Sequence, residues 1–249
     1  MVNIILSGCC GKMGKMISEC AKTNNNLSIV AGIDINTDSN FDYPIFNSID
    51  QCTISADVII DFSRPTSLNG LINYCKKNTT PIVLCTTGYS DSQLKDIDEL
   101  SNYVGVFHSA NMSIGINLIN SLLKQVSGKL FEDYDIEVIE KHHNQKIDSP
   151  SGTALLLANS IQNSIKEETE LIYGRQGSHK REKKEIGIHA IRGGNIIGDH
   201  TVIFAGAGEC IELTHKAISR EVFAVGALKA ASFMKDKPAG KYDMDNVVG

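Results

Sequence analysis

The segment Val2-Asn3-Ile4-Ile5-Leu6-Ser7-Gly8-Cys9-Cys10-Gly11-Lys12-Met13-Gly14 decides how the first half of the chain folds. A short apolar run opens directly into a glycine turn, and Met13, Met16, Ile17, Cys20 and Ala21 then fall at helical spacing. A second apolar run from Ser28 to Ile33 ends at Asp34, twenty residues beyond Gly14. Strand, glycine turn, helix, strand and acid form the pattern of a dinucleotide-binding unit. The glycines let the backbone approach a pyrophosphate, the helix start supplies partial positive charge, and the acid meets a ribose hydroxyl. The spacing G-x-x-G-x-x-G is one residue wider than the commonest fingerprint, so the flanking elements matter as much as the glycines.

Working outward, Ala56 to Phe62 is a continuous apolar strand of the kind found in a parallel sheet covered on both faces, and it ends at Ser63-Arg64-Pro65. A helix from Leu68 to Cys75, a strand from Pro81 to Cys85 with the turn Thr86-Thr87-Gly88, a helix from Ser92 to Leu100 and a strand from Val104 to Phe107 follow. That last strand ends at His108-Ser109-Ala110-Asn111-Met112. Loops at successive strand ends are the expected walls of a cofactor crevice. The helix from Ser113 to Gln125 carries the chain into a different pattern, with strands at Tyr134–Glu140, Ile186–Ile191, His200–Ala205 and Cys210–His215. Gly193-Gly194 and Gly206-Ala207-Gly208 separate the last three, which points to an antiparallel sheet. A final helix, Arg220 to Met234, is expected to return to the first domain. The fold class is therefore α/β. It comprises a Rossmann-like domain, 1–112 with 220–249, and an α+β substrate and oligomerisation domain, 113–219, with a mostly antiparallel sheet.

Composition narrows the function. The chain has 249 residues, 42% of them hydrophobic, and a formal charge of −5, so no broad basic surface is available for nucleic acid. The basic stretch Lys180 to Lys184 is interrupted by Glu182. Seven cysteines, an odd and scattered set without C-x-x-C, fit neither a disulfide framework nor a structural zinc site. Without a leader-like N-terminus or a long apolar run, the chain reads as cytoplasmic, with no membrane partner.

The stretch Glu137 to Ala154 carries the chemistry. Ile136, Val138 and Glu140 alternate with Glu137, Ile139 and Lys141, a strand pattern; His142, His143 and Lys146 then fall in a polar segment that reads as a loop. Beyond Pro150, Ser151-Gly152-Thr153 opens the apolar run Ala154 to Ala158, and a helix starting there presents backbone N–H groups to an anion. An imidazole is the side chain best suited to proton transfer near neutral pH, and an ammonium adds a second donor and a positive charge. His189, His200 and His215 read as structural or strand-surface residues, and without H-E-x-x-H no metal is expected. Because the glycine turn already accounts for phosphate, the Ser151-Gly152-Thr153 cradle better matches a substrate carboxylate. These parts suit a reductase of a small anionic substrate with a C=N or conjugated C=C bond.

The run E-K-H-H-N-Q-K-I-D-S-P-S-G-T-A, 140–154, closely resembles the signature of the 4-hydroxy-tetrahydrodipicolinate (dihydrodipicolinate) reductase family of the diaminopimelate route to lysine. The likeness extends to Asp61-Phe62-Ser63-Arg64-Pro65, Thr86-Thr87-Gly88, Ala110-Asn111-Met112, Arg192-Gly193-Gly194 and Thr214-His215-Lys216-Ala217. The resemblance implies hydride transfer from NAD(P)H to C4 of the cyclic substrate with loss of water. It further implies His142 as proton donor/acceptor, Lys146 as second proton donor, and His143, Gly152 and Thr153 as substrate contacts. Cofactor contacts would be Gly8, Cys9, Cys10, Gly11, Lys12, Met13, Asp34, Cys85, Thr86, Thr87, Ser109, Ala110, Asn111 and Met112. The implied partners are a small dicarboxylate substrate and further copies of the chain in a homotetramer.

Two positions depart from the family pattern: Lys12 stands where arginine is common, and Ile35-Asn36 follows the ribose acid where NADPH users often have arginine. Without a cation for the 2′-phosphate, NADH is the expected preference and NADPH a possible substitute. The rivals are another nicotinamide-dependent amino-acid dehydrogenase, of aspartate or homoserine type, and a catalytically inactive nucleotide-sensing homologue. Paired histidines with Lys146 ahead of S-G-T-A weigh against both.

Overall fold

The structure is a computed structural model and describes residues 1–37 and 40–249. The chain runs β1 (Val2–Ser7), α1 (Lys12–Lys22), β2 (Leu27–Ile33), β3 (Ile45–Phe46), β4 (Val58–Asp61), α2 (Leu68–Asn78), β5 (Ile82–Leu84), α3 (Asp91–Leu100) and β6 (Gly105–His108). It continues with α4 (Ile114–Leu130), β7 (Asp135–His142), α5 (Gly152–Asn163), β8 (Glu170–Tyr173), β9 (Glu185–Arg192), β10 (Gly198–Ala205) and β11 (Cys210–Ala217). Then come α6 (Glu221–Met234), β12 (Gly240–Tyr242) and α7 (Asp245–Val248). Two compact units result, Met1–Ile114 with Arg220–Gly249, and Gly115–Ser219.

In the first unit seven strands lie in the order β12-β6-β5-β4-β1-β2-β3, and every pairing is parallel. Ile4, Leu6, Val58, Ile60 and Val83 pack on one side with Ile17 and Ala21 of α1 and Ala224, Ala227 and Leu228 of α6. Ile5, Ile59, Ile82, Leu84 and Val106 pack on the other with α2 and α3. Burial on both faces is why these strands are apolar throughout rather than alternating. The strand order reverses between β1 and β4, and the crevice for a ligand in such a sheet lies at the carboxyl ends of those strands. Strands β3 and β12, with two and three residues, are too short to leave a periodic trace and were not expected.

In the second unit five strands lie in the order β11-β10-β7-β9-β8. The pairs β11–β10 and β10–β7 are antiparallel, whereas β7–β9 and β9–β8 are parallel, so the sheet is mixed and the mostly antiparallel expectation is corrected. The glycine turn Gly193-Gly194 does reverse the chain, but β7 lies between β9 and β10, so no hairpin forms there. A turn motif specifies reversal; it does not specify which strand occupies the space between. Ile136 and Val138 of β7, Ile186 and Ile188 of β9, and Val202 and Phe204 of β10 pack against Ala154, Leu157, Ala158 and Ile161 of α5 and Leu123 of α4. Glu140 and His142 continue the same buried face of β7. His142 is thus the last residue of the strand, paired in register with Arg192, and not part of the loop in which the polar sequence placed it.

Within the first unit α1 sits as close to the glycine turn as backbone allows. A Cβ on Gly14 would stand 2.2 Å from the Gly8 carbonyl oxygen and 2.5 Å from that of Cys9. Gly14→Ala is therefore expected to cost about 2 kcal/mol or more, read as a fall of several degrees in the melting midpoint. An unchanged midpoint would show that α1 does not make this approach.

Candidate active site

In the first unit, Gly8 adopts φ +80° and its N–H donates to the Ile33 carbonyl at 2.8 Å, so the turn is tied to the end of β2. Gly11 N-caps α1 without a side-chain hydrogen bond, leaving the helix start to be met by backbone alone. Asp34 stands beside this turn: its Oδ2 accepts from the Cys10 N–H at 2.9 Å and its Oδ1 from the Asn36 N–H at 3.1 Å. The acid and the glycine turn, separated in sequence, form one constellation. Lys12 is exposed, as are Ile35 and Asn36 immediately after the acid. The thiols of Cys9 and Cys10 and the Asp34 carboxylate lie within 4.8 Å of one another. Burial, followed by the Cys10 neighbour, pushes the Cys9 thiol well up, and the Cys10 thiol donates to the Asn36 carbonyl. Two thiols, one of them donating to a carbonyl, beside a carboxylate already held by N–H donors read as packing, and we assign no metal to them.

Asp61, fully buried at the end of β4, organises the next two loops. It accepts from Ser63 Oγ at 2.5 Å, Thr86 Oγ1 at 2.8 Å and Tyr89 Oη at 3.3 Å. Of the expected cofactor contacts in this region, Thr86 is buried with its hydroxyl engaged by Asp61, Cys85 is half-buried and Thr87 is exposed. After β6, Ser109 Oγ donates to the Asn111 carbonyl and Asn111 Oδ1 accepts from the Ser113 N–H, which folds that loop on itself. Ala110 at its tip is exposed and Met112 is buried.

In the second unit the sheet brings two strand ends and a helix start to one carboxylate. Glu140 is completely buried. Its Oε2 accepts from His142 Nδ1 at 2.7 Å and Arg192 Nη1 at 2.7 Å, and its Oε1 from Arg192 Nη2 at 2.8 Å and the Ser151 N–H at 2.9 Å. Burial alone pushes its carboxyl up, but Arg192, His142 and the Ser151 N–H more than offset that and hold it below the usual range. Arg192 Nη2 also donates to the Asp148 carbonyl at 2.7 Å, tying the end of β9 to the loop that precedes α5. That loop is pinned from its other end by Gly193 N–H to the His142 carbonyl and Asn144 N–H to the Gly194 carbonyl.

Burial lowers the His142 pKa; Glu140 pulls it up, and the nearby charges of Lys146 and Arg192 push it down again. With Nδ1 committed to Glu140, Nε2 is the nitrogen able to meet a substrate, and Gly198 lies beside it, where a Cβ would stand 3.0 Å away. The Lys146 ammonium rests 2.8 Å from Asp148 Oδ1. His143 is half-buried at the start of the turn closed by Lys146 N–H to the His143 carbonyl. Ser151 N-caps α5: its Oγ accepts from the Ala154 N–H at 3.1 Å and lies 3.1 Å from His200 Nε2. Gly152, exposed, and Thr153, half-buried, head the helix.

Glu140, Arg192 and His200 escaped the sequence reading. Glu140 did carry a signal, since a carboxylate on the apolar side of a strand pattern calls for a partner. Arg192 stood only inside a family motif and His200 only among the structural histidines, because it takes the register that sets His142 beside Arg192, and Glu140 beside His200, to bring them together. His200 is buried, packs edge-on to His142 at 5.2 Å between ring centroids, and has no hydrogen-bond partner for Nδ1 among the described residues. His189 keeps the strand-surface role expected of it, donating to Glu137 on the opposite face of β7.

Residues 2–112 match the family model for the dihydrodipicolinate reductase N-terminus, and residues 115–248 match that for its C-terminus. The chain belongs to the dihydrodipicolinate reductase family. The 4-hydroxy-tetrahydrodipicolinate reductase of Clostridium tetani is 62% identical, with 98% of this chain and 96% of the relative aligned. That of Clostridium novyi is 63% identical, with 100% and 98% aligned. Among solved structures, a dipicolinate-bound dihydrodipicolinate reductase from Paenisporosarcina sp. TG-14 matches with a TM-score of 0.83 at 25% identity, covering 99% of each chain.

The buried histidine of this reductase-family site makes stability depend on pH. Burial, and then His142, lower the His200 pKa to about 4 from an unfolded value near 6.5. Between those values the unfolded chain binds a proton that the folded chain refuses, so stability is full above about pH 6.5 and is lost as pH falls toward 4. The loss is expected to reach up to about 3 kcal/mol by pH 4, seen as a falling urea midpoint. His200→Gln should flatten that slope, and an equally steep slope in the variant would exclude His200 as its source.

Proposed function

We propose that this protein reduces 4-hydroxy-tetrahydrodipicolinate to tetrahydrodipicolinate with a reduced nicotinamide cofactor, in the cytoplasmic route to diaminopimelate and lysine. The observation that carries the reading is the His142–Lys146 cluster beside the α5 N-terminus in a chain matched from end to end by the reductase family. The net reaction takes up one hydride and one proton and releases water. The cofactor supplies the hydride, which goes to C4 of the substrate.

The chain's own residues supply the remainder. The turn from Gly8 through Met13 offers backbone to the pyrophosphate, and Asp34 accepts from the adenosine ribose, exchanging its present N–H partners for hydroxyls. The loops containing Cys85, Thr86 and Thr87, and Ser109 to Met112, flank the nicotinamide half. Gly152 and Thr153 hold one substrate carboxylate at the start of α5, capped by Ser151, with His143 as a further contact. His142 gives and takes a proton through Nε2, and Lys146 delivers the second proton after leaving Asp148 for the substrate. A ring with two carboxylates suits this cationic cluster; the dipicolinate of the Paenisporosarcina reductase is such a compound. The cofactor is NADH in preference to NADPH, because Asp34 repels a 2′-phosphate and exposed Ile35-Asn36 offers it no cation. The working assembly is a homotetramer built through the second unit's sheet.

His142→Gln and Lys146→Ala are each expected to lower kcat by about a hundredfold or more while the NADH dissociation constant stays within about twofold. Turnover near wild type in either variant removes that residue from the mechanism. With the unmodified enzyme, kcat/KM for NADH should exceed that for NADPH, and equality or the reverse contradicts the cofactor preference.

A further inference from the structure

We infer that Glu140 is the positioning residue of this site, holding the proton donor His142 and the carboxylate-binding start of α5 in one fixed relation. The inference rests on the reading of His142 as proton donor. Four hydrogen bonds converge on this single carboxylate, divided evenly between its oxygens. Oε2 takes the His142 Nδ1–H and one arm of Arg192, while Oε1 takes the Ser151 N–H and the other arm. A carboxylate with no solvent access and every acceptor direction filled has no freedom to rotate. Whatever it holds is therefore fixed to a few tenths of an ångström, the precision proton transfer requires.

Three consequences follow for His142. The carboxylate selects the Nδ1–H tautomer, so that Nε2 is always the nitrogen presented to the substrate. It stabilises the imidazolium, countering the burial and the positive neighbours that act against protonation. Because its second oxygen holds the Ser151 N–H, the ring cannot shift without disturbing the N-cap whose first turn receives the substrate. Arg192 acts one step further out. Its fork neutralises the buried charge, and its bond to the Asp148 carbonyl keeps the loop bearing Lys146 attached to the same anchor. His200 also reaches both sides, but it meets His142 edge-on through its ring and Ser151 through Nε2.

The test uses Glu140→Gln and Glu140→Asp in the full-length protein, with folding checked by circular dichroism and melting. Glu140→Gln keeps the volume but removes the charge and the tautomer preference. It is expected to lower kcat by about ten- to a hundredfold, leave NADH affinity unchanged, and move the limb of the kcat/KM profile that requires protonated His142 to lower pH. Glu140→Asp keeps the charge but retracts it by one methylene, so kcat should fall while that limb stays nearer its wild-type position. A folded Glu140→Gln enzyme with wild-type kcat and an unmoved limb overturns the inference. If removing the buried charge prevents folding, nitrogen-15 NMR of the unmodified, histidine-labelled protein decides the matter. The neutral His142 ring should carry its proton on Nδ1, and an Nε2–H tautomer overturns the inference. Failure of the underlying reading is separable, because it would appear as an active His142→Gln enzyme whatever Glu140 variants do.

Discussion

A glutamate side chain closed off from water ordinarily carries a penalty of several kcal/mol, and Glu140 is tolerated only because the chain surrounds it with donors. The fork of Arg192 matches both carboxylate oxygens, which is the arrangement that a lysine cannot supply. The remaining acceptor directions go to His142 and to the backbone of Ser151, so compensating the buried charge and ordering the site are the same physical event. Remove Arg192 and the charge is left uncompensated. That makes the end of β7, the end of β9, the loop between β7 and α5, and the N-cap of that helix interdependent.

The first unit uses the same device at Asp61. This carboxylate also sits at a strand end and is buried, and it gathers hydroxyls from Ser63, Thr86 and Tyr89 in the loops after β4 and β5. Near β1 the work is done by backbone instead: Gly8 turns where a side chain would collide with the Phe62 carbonyl, and Gly14 lets α1 approach the turn. Both units thus expose a small set of groups on rigid strand ends and secure the loops from beneath. In both units the carboxylate that organises the loops, Asp61 or Glu140, is itself buried.

Periodicity made most of this architecture legible. Continuous apolar runs marked the parallel strands, since both faces of that sheet are covered, and alternation from Ile136 to Lys141 marked β7 with the correct inward face. The glycine turn and Asp34 could be paired from spacing alone because a strand and a helix of known length separate them. The second sheet was misread because strand order is a long-range property: Gly193-Gly194 reverses the chain, yet β7 enters between the strands that the turn connects. The same limit hid what Arg192 and His200 do, since each acquires its partners only through its neighbour in register. His142 was placed in a loop because polarity ends the apolar alternation two residues before the hydrogen-bonded ladder ends.

The proposed reaction requires a hydride to move from the reduced nicotinamide to C4 of the cyclic substrate while the second unit manages the protons. The most direct measurement supplies NADH carrying deuterium at both C4 positions of the nicotinamide and locates the label in the product by NMR. One deuterium per molecule at C4 of tetrahydrodipicolinate is the expected result. Label absent from the product, or found at another carbon, would contradict the account.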